Sequence, residues 1–338
     1  MKAPSGGQTK ERWFRCQGLL RRGGWLEPAY VAVDAQGRIL QVVDAAPAAD
    51  IHVEEIPGYA IPGFQNAHSH AFQYAMAGLA EHLPAQAARD DFWSWRQAMY
   101  GLAQRVSPDE VEAIASMLYS EMLRCGYTAV TEFHYLHHDV SGAPYKNPAE
   151  MGARLMAAAA RAGIHLTLVP VLYRQGGFGR PAMPAQRRFL ADGLDSYARL
   201  LEATHAAAAR QSGTLVGVGV HSLRAVPPDE VRALLGQPFT GPAHLHVAEQ
   251  SQEVKDCVAH LGQRPVAWLL ANLPLDQRFN LVHATHLDAD EVQQLAATDA
   301  TVVLCPSTEG NLGDGFYPLQ DYLAPAGRTR SARTVTSV

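Results

Sequence analysis

Two kinds of hydrophobic pattern follow one another along the chain. Up to residue 60, short apolar segments alternate with turn residues, and residues 30–34 and 38–43 flank Ala35-Gln36-Gly37 as the two strands of a β-hairpin would. From Ile61 onward, short apolar runs alternate with longer segments rich in Ala and Leu. The pattern predicts a small β-domain over residues 1–60 and a larger α/β domain over residues 61–323.

The larger region predicts parallel strands joined by helices. One strand enters His68, and six further apolar runs have the length of strands: Thr128–Phe133, His165–Leu172, Leu215–Val220, Ala243–Val247, Asn280–His283 and Thr301–Cys305. Helical patterns lie between them: Pro108–Cys125, Pro148–Ala162, Ser196–Gln211, Pro228–Leu235 and Asp288–Ala297. Alternation of strands and helices is typical of a parallel sheet.

A (β/α)8 barrel of the TIM type, in the α/β class, is the architecture that this alternation favours. The alternative is a doubly wound open sheet, but no glycine-rich phosphate-binding turn follows any of the predicted strands. In a barrel of this type the functional side chains lie at the carboxyl ends of the strands. The residues that end each strand are therefore the first candidates for a site.

Composition and charge exclude several classes of protein. The net charge is −5 and basic residues form no block, which argues against a nucleic acid or an anionic membrane as partner. No apolar run is long enough to span a membrane, and the N-terminus has no apolar signal core. The 4 cysteines form no CxxC pair. They predict reduced thiols in a cytoplasmic protein rather than a thiolate zinc site.

Histidines end several of the predicted strands, and the chain has 15 of them. His68 and His70 end the first strand, and His244 and His246 lie in the fifth. Side chains two residues apart on a strand face the same way. Imidazoles from separate strands then meet at one mouth of the barrel, as a metal ion requires. One such pair alone would equally fit core histidines, but the repetition over several strand ends predicts a metal site.

Glu249 lies three residues after His246, just past the end of the fifth predicted strand. A carboxylate at this place is a candidate proton carrier beside a metal-bound water. The alternative is that Glu249 only begins the next helix, where an acidic residue interacts favourably with the helix dipole.

The stretch Pro62-Gly63-Phe64-Gln65-Asn66-Ala67-His68-Ser69-His70 resembles the first-strand pattern of the amidohydrolase superfamily. More narrowly, the chain resembles the branch that hydrolyses N-formimino-L-glutamate to N-formyl-L-glutamate and ammonia in histidine degradation. The stretches that carry the narrower resemblance follow in order along nearly the whole chain: 68–73, 92–96, 132–135, 221–226, 246–250, 281–286 and 307–315.

The resemblance implies a fold, a cofactor and a role for each site residue. It implies a metal-bearing barrel beside a small β-domain that both ends of the chain build, and it allows a homodimer. It implies that one Zn²⁺ ion is bound by His68, His70 and His246. It implies that Glu249 and His283 move protons around the attacking water. The implied substrate contacts are Gln73 at the formimino group and Arg96, Tyr135, His221 and Arg224 at the carboxylates. Two arginines suit a dianionic substrate independently of the resemblance.

The chain departs from the family at its C-terminal end. The family has a further zinc ligand, an aspartate that ends the eighth strand in a stretch like Gly-Thr-Asp-Ser-His-Val-Ser, and this sequence has no such stretch. We therefore expect a barrel without its eighth strand, an incomplete β-domain, and low or no activity. Neither Asp314 nor Asp321 is expected to replace the missing ligand, because both precede the eighth strand.

A frameshift between about Ala324 and Arg330 would explain the missing motif. Codons that are allowed for residues 330–338 can be read two bases later as Val-Gly-Thr-Asp-Ser-His-Val-Ser. We therefore interpret residues 324–338 as a frameshifted tail, through either a mutation or a sequencing error. The coding DNA tests this hypothesis directly.

Two other functions stay open at this stage. One is a different deaminase of the same superfamily, with a guanine-like or adenosine-like substrate. The paired arginines argue against it, as does the lack of an evident aromatic slot for a base in the sequence. The other is an inactive binding or oligomerisation module, which the C-terminal departure favours and the intact histidines oppose.

Overall fold

The computed structural model describes residues 11–79, 92–325 and 327–331. These residues divide into two compact units, which separate between Gly63 and Phe64.

The N-terminal unit consists of two small β-sheets. Its strands are β1 (Arg12–Cys16), β2 (Gly18–Arg21), β3 (Gly24–Leu26), β4 (Ala29–Val33), β5 (Ile39–Val43), β6 (Val53–Glu55) and β7 (Tyr59–Ala60). One sheet has the order β5-β4-β1-β6 and the other β3-β2-β7. The predicted hairpin is confirmed, because β4 and β5 pair in the antiparallel sense around Asp34 to Arg38.

The second unit is a parallel barrel whose strand order follows the chain. Its strands are β8 (Phe64–Ser69), β9 (Tyr127–His134), β10 (His165–Leu172), β11 (Thr214–Val216), β12 (Val218–Val220), β13 (Ala243–Val247), β14 (Phe279–His283), β15 (Thr301–Leu304) and β16 (Arg328–Ser331). The order is β16-β15-β14-β13-β12-β10-β9-β8, with β11 also paired to β10. The predicted α/β barrel is confirmed.

The fourth barrel strand is divided at Gly217 into β11 and β12. A Cβ atom on Gly217 would lie 2.6 Å from the carbonyl oxygen of Pro242, and one on Gly219 would lie 2.7 Å from that of Pro170. Both contacts are closer than packed side chains allow. The predicted single run 215–220 is therefore two short strands, because neighbouring backbones pass close to these glycines.

The helices in the described residues are α1 (Phe92–Ala103), α2 (Pro108–Arg124), α3 (Glu150–Ala162), α4 (Leu194–Ala208), α5 (Pro228–Leu235), α6 (Ser251–Leu261), α7 (Pro265–Asn272), α8 (Ala289–Ala296), α9 (Pro306–Leu312) and α10 (Leu319–Leu323). Five of them, α2, α3, α4, α5 and α8, lie where the amphipathic segments predict them, and the other five were not predicted. Helices α2 and α8 begin with complete capping boxes at Ser107 and Asp288, which satisfy amide groups that the first turn leaves open. Two 3₁₀ segments, Ala71–Met76 and Pro184–Gln186, lie between elements.

The expectation of a barrel without an eighth strand is wrong. Strand β16 pairs in parallel with β15, with Arg328 opposite Thr301 and Ser331 opposite Leu304, and it lies beside β8. The barrel is therefore nearly closed. Pairing to the open edge of β15 satisfies backbone groups whatever the side chains are, which explains why a segment without apolar alternation is extended. Residues 332–338 lie outside the described part of the chain, and the frameshift stays a prediction.

Arg188 fastens the end of α1 to the loop after β9. Its side chain is fully buried. The guanidinium donates hydrogen bonds to the carbonyl oxygens of His138 (2.7 Å), Val106 (2.8 Å) and Ala103. A buried cation is tolerated where its N–H groups all find acceptors. Arg188 thereby fixes the position of α1, which carries side chains of the cavity described below.

Arg188→Met should lower the free energy of unfolding by roughly 3 kcal/mol, because it leaves buried carbonyl oxygens without donors. Urea unfolding measures this change. Arg199→Met, on the exposed face of α4, is the matched control and should change stability by less than about 0.5 kcal/mol. Equal effects of the two substitutions would contradict the role given to Arg188.

Candidate active site

Several barrel strands end in buried polar side chains at one mouth of the barrel. His68 lies in β8, His246 in β13 and His283 at the end of β14, and all three are buried. The backbone turns sharply after two of these strands. Ala248 has φ 49° and His283 has φ 70°, in the left-handed region that non-glycine residues rarely adopt. Such strain is typical of functional sites, and here it directs Glu249 and His283 toward the same space.

Three imidazole rings meet at this mouth through their Nε2 atoms. The Nε2 atom of His68 lies 3.0 Å from that of His70 and 3.1 Å from that of His246. The Nδ1 atom of His70 lies 2.9 Å from the carbonyl oxygen of Phe133, which makes Nδ1 the protonated nitrogen and leaves the lone pair on Nε2.

Burial keeps these three rings neutral. It lowers the pKa of His70 to about 4, and it lowers the pKa of His68 and of His246 well below the ordinary histidine value. The Nε2 atom of His70 can only accept, and His68 Nε2 lies close to two other Nε2 atoms but carries at most one hydrogen. A cation therefore satisfies the convergent lone pairs better than hydrogen bonds between the rings do. The donor set therefore fits a Zn²⁺ ion, and the backbone contact of His70 orients it as such ligands require.

A chain of acidic groups and one histidine lies beside the three rings. His283 Nε2 is 3.4 Å from Glu249 Oε1, and His283 Nδ1 is 3.2 Å from Glu309 Oε1. The same Glu309 oxygen accepts a hydrogen bond of 2.8 Å from the backbone amide of Cys305. Burial is the largest single influence and lowers the pKa of His283, but the charges of Glu249 and Cys305 and the hydrogen bonds to Cys305 and Glu309 together outweigh it and hold this pKa well above the ordinary value. Glu249 and His283 are thus placed to share a proton.

Asp314 completes this acidic group. One of its carboxylate oxygens accepts a hydrogen bond from the side-chain amide of Gln250, and its other oxygen is buried. Burial, together with the nearby charge of Glu249, raises the pKa of Asp314 to about 8, which His283 offsets only in part. Asp314 is therefore largely protonated near neutral pH.

The predicted substrate-binding residues line one cavity. Gln73 donates a hydrogen bond of 2.8 Å to the hydroxyl oxygen of Tyr135. Arg96 and Arg224 line the same cavity, together with His221. Of the ten residues that the sequence indicated for the site, nine line this cavity: His70, Gln73, Arg96, Tyr135, His221, Arg224, His246, Glu249 and His283. The ring centre of the tenth, His68, lies 4.5 Å from that of His70 and 4.9 Å from that of His246.

Sequence reasoning missed further side chains around the cavity. They are Trp95, Met99, Tyr100, Tyr173, Phe189, Thr308 and Leu312. Tyr173 directly follows β10, so the rule that strand ends carry function would have found it. Phe189 gives no comparable signal, because its loop reaches the cavity only through tertiary packing.

Other histidines near strand ends have structural partners instead. His137 and His138 contact the carbonyl oxygens of Val171 (3.0 Å) and Leu190 (2.7 Å). His244 lines a separate cavity with Arg330. These rings are therefore not part of the cluster, in agreement with the view that a single strand-end histidine often has a packing role.

A nearly closed parallel barrel with a buried three-histidine cluster at its carboxyl-terminal mouth defines the class of barrel-type, metal-dependent hydrolases. The chain belongs to the amidohydrolase family, whose sequence pattern matches residues 59–327. This family is metal-dependent, and the histidine cluster is one of three groups of side chains in the described residues that could hold a metal ion.

Among curated relatives, the chain is 47% identical over 307 residues to the formimidoylglutamate deiminase of Pseudomonas aeruginosa. It is 32% identical over 268 residues to the 5-methylthioadenosine/S-adenosylhomocysteine deaminase of Nitratidesulfovibrio vulgaris. These matches cover 90% and 78% of this chain but 66% and 53% of the relatives. The chain thus spans less than two thirds of the length of either relative.

Solved structures show the same fold. An amidohydrolase from Brucella melitensis superposes with a TM-score of 0.88 at 42% identity, covering 95% of this chain and 70% of that one. A zinc-bound adenosine deaminase from Xanthomonas campestris gives a TM-score of 0.72 at 24% identity, over 95% of this chain and 68% of the other. The second likeness concerns the fold alone. In the part of the chain that the structure describes, no helix is both long and apolar enough to cross a membrane.

Removing one imidazole from the cluster should weaken metal binding. We expect chelator-treated protein to bind Zn²⁺, and His246→Ala to lower the affinity by roughly 100-fold or more in a competition titration. His260→Ala, an exposed histidine on α6, should leave the affinity unchanged. Equal affinities of His246→Ala and the unchanged chain would show that the cluster is not the metal site.

Asp314→Asn should stabilise the protein at high pH. A carboxyl whose pKa rises from 3.8 to about 8 on folding destabilises the folded state progressively as the pH rises through that interval. The substitution should therefore raise the free energy of unfolding by roughly 2 kcal/mol at pH 8.5, a figure reduced for solvent screening at the cavity, and by little at pH 4. Urea unfolding with a chelator present measures both. The control Asp192→Asn, at an exposed position, should change stability equally at both pH values. If Asp314→Asn also has the same effect at pH 4 and pH 8.5, the raised pKa of Asp314 is contradicted.

Proposed function

We propose that this chain belongs to a zinc-dependent deiminase that hydrolyses N-formimino-L-glutamate to N-formyl-L-glutamate and ammonia. The observation that carries the proposal is the make-up of one cavity. The acid–base pair of Glu249 and His283 lies beside the histidine cluster, and two arginines line the same cavity. The similarity to a formimidoylglutamate deiminase supports the same activity.

One zinc ion would be bound by His68, His70 and His246. When bound, it supplies a Lewis acid that makes water acidic enough to be a nucleophile near neutral pH. The chain's own contribution is to hold three neutral rings in place, since the His70 Nδ1 contact with Phe133 fixes the orientation of that ring.

Glu249 accepts a proton from the attacking water at its carboxylate and returns it to the departing nitrogen. Water adds to the carbon–nitrogen double bond of the formimino group, and the carbon–nitrogen bond to the terminal nitrogen then breaks to release ammonia. His283, next to Glu249, donates a hydrogen bond to the charge that develops during attack. Glu309 accepts from the opposite ring nitrogen and so keeps Nε2 of His283 toward the cavity.

The other side of the cavity binds the glutamate part of the substrate. Arg96 and Arg224 supply positive charge, and Tyr135 and His221 supply neutral hydrogen-bonding groups. Burial lowers the pKa of His221 well below the ordinary value, so this ring binds as a neutral group. Gln73, which also contacts Tyr135, holds the formimino group.

A nucleobase deaminase is the competing function, and one argument against it fails. The sequence shows no evident aromatic slot for a base, yet the cavity is lined by five aromatic side chains, Trp95, Tyr100, Tyr135, Tyr173 and Phe189. The charge argument stands, because two guanidinium groups beside the aromatic rings suit carboxylates and not a neutral base.

The zinc-loaded chain should release ammonia from N-formimino-L-glutamate in preference to adenosine or guanine. We expect slow turnover, because the aspartate ligand of the family is absent from the described residues. Calorimetry of N-formyl-L-glutamate binding is therefore a second measurement, which does not depend on turnover. Glu249→Gln should lower kcat by roughly 10³-fold and leave that binding within a factor of two.

Glu202→Gln, on helix α4 outside the cavity, is the control and should keep the activity of the unchanged chain. Faster ammonia release from adenosine or guanine, or tighter binding of a nucleoside than of N-formyl-L-glutamate, would overturn the proposed substrate.

A further inference from the structure

We propose that Gln186 is a positioning residue that makes Tyr100 and Tyr173 hydroxyl donors to a substrate carboxylate, at the side of the cavity that Arg96 and Arg224 line. Gln186 itself does not line the cavity. The inference deepens the proposed function, and rests on it in one respect, namely that the cavity takes a substrate with carboxylate groups.

Gln186 is fully buried and its amide has one orientation only. Its Oε1 atom lies 2.7 Å from the backbone nitrogen of Met183, which can only donate, so Oε1 is the acceptor. Its Nε2 atom is therefore the donor on the other side. It lies 3.0 Å from the hydroxyl oxygen of Tyr100 and 2.6 Å from that of Tyr173.

This arrangement determines where the phenol protons go. Both hydrogens of the amide are donated to the two phenol oxygens, and each phenol keeps its own O–H hydrogen. Gln186 offers these hydroxyl groups no acceptor in return. One hydroxyl can donate to the other, which satisfies one proton. At least one O–H group is left to donate to an acceptor outside this group of three side chains, and both tyrosines line the cavity.

The surrounding charges select an anion as that acceptor. The guanidinium of Arg96 lies 5.7 Å from the centre of the Tyr100 ring, and Arg224 lines the same cavity. Burial raises the pKa of Tyr173 above the ordinary value, which the positive charges of Arg224 and Arg96 offset only in part. Tyr173 is therefore protonated at neutral pH. Neutral hydroxyl donors beside guanidinium groups form a binding site for carboxylate oxygens.

Gln186 joins parts of the chain that are far apart in sequence. Tyr100 lies on α1, Tyr173 follows β10, and Gln186 ends the 3₁₀ segment 184–186. The ring of Phe189 packs 6.0 Å from that of Tyr100 and 5.8 Å from that of Tyr173. Packing by Phe189 fixes the rings, whereas the amide fixes the direction in which their hydroxyl groups donate.

Calorimetric binding of glutarate to the full chain tests the inference without any turnover. Glutaramate, in which an amide replaces one carboxylate, is the comparison ligand. Tyr100→Phe combined with Tyr173→Phe should raise the Kd for glutarate by about 10-fold and that for glutaramate by less, because charge-assisted hydrogen bonds are lost. Gln186→Leu should weaken glutarate binding by about 5-fold. Tyr127→Phe, at the start of β9 away from the cavity, is the matched control.

A merely structural role of Gln186 predicts a different result from a positioning role. If Gln186 acts through the two hydroxyl groups, Gln186→Leu should change the Kd by less than 2-fold once both tyrosines are phenylalanine. A full 5-fold effect in that background would overturn the inference. The inference would also be overturned if the variant with both tyrosines replaced bound glutarate as tightly as the unchanged chain, or if the unchanged chain did not bind glutarate. The tyrosine variants keep every ring, so they decide the question even if Gln186→Leu folds poorly.

Failure of the proposed function gives a separate result. A chain that binds glutarate in the predicted order but releases no ammonia from N-formimino-L-glutamate would contradict the reaction and retain the binding site. If both tyrosine substitutions instead leave ammonia release and glutarate binding unchanged, the binding site proposed here would be contradicted and the proposed reaction would be retained.

Discussion

Burial of three neutral imidazoles at one end of a parallel barrel is the constraint on which the rest of the site depends. His68 and His246 lie in strands whose backbone is fixed by the ladder, and His70 directly follows β8, so the barrel sets the distances between the Nε2 atoms. Burial removes protons from the rings and leaves lone pairs that have no protein donor to satisfy them all. A cation satisfies them, which is why the fold and a metal ion belong together here.

The chemistry beside the cluster comes from two places where a strand ends with strained backbone. Ala248 and His283 adopt positive φ angles, and this geometry places the side chains of Glu249 and His283, which we propose exchange protons. Glu309 then holds the far nitrogen of His283, as the carbonyl of Phe133 does for His70. In both pairs, a second hydrogen bond decides which ring nitrogen faces the cavity. Guanidinium groups and tyrosine hydroxyls line the same cavity, and in the proposed function they bind the carboxylates of the substrate.

Part of this could be read from the sequence because of strand periodicity. His68 and His70, two residues apart, must face the same side, and Glu249 follows a strand end directly. The eighth strand was missed for the opposite reason. Arg328–Ser331 has no apolar alternation, and its extended form comes from the open edge of β15. Gln186 was missed because it acts through Tyr100 and Tyr173, which only the packing of separate elements brings together.

The sequence by itself determined the alternation of strands and helices, the barrel and the histidines and carboxylate that its strands carry to one mouth. These follow from local periods of two and 3.6 residues, which a single chain displays without knowledge of distant contacts. The tertiary structure alone decided which nitrogen His70 and His283 present, that the pKa of Asp314 is raised, and that a buried amide donates to two tyrosine hydroxyl oxygens. These depend on desolvation and on hydrogen bonds between residues far apart in the chain, and no local pattern records either one.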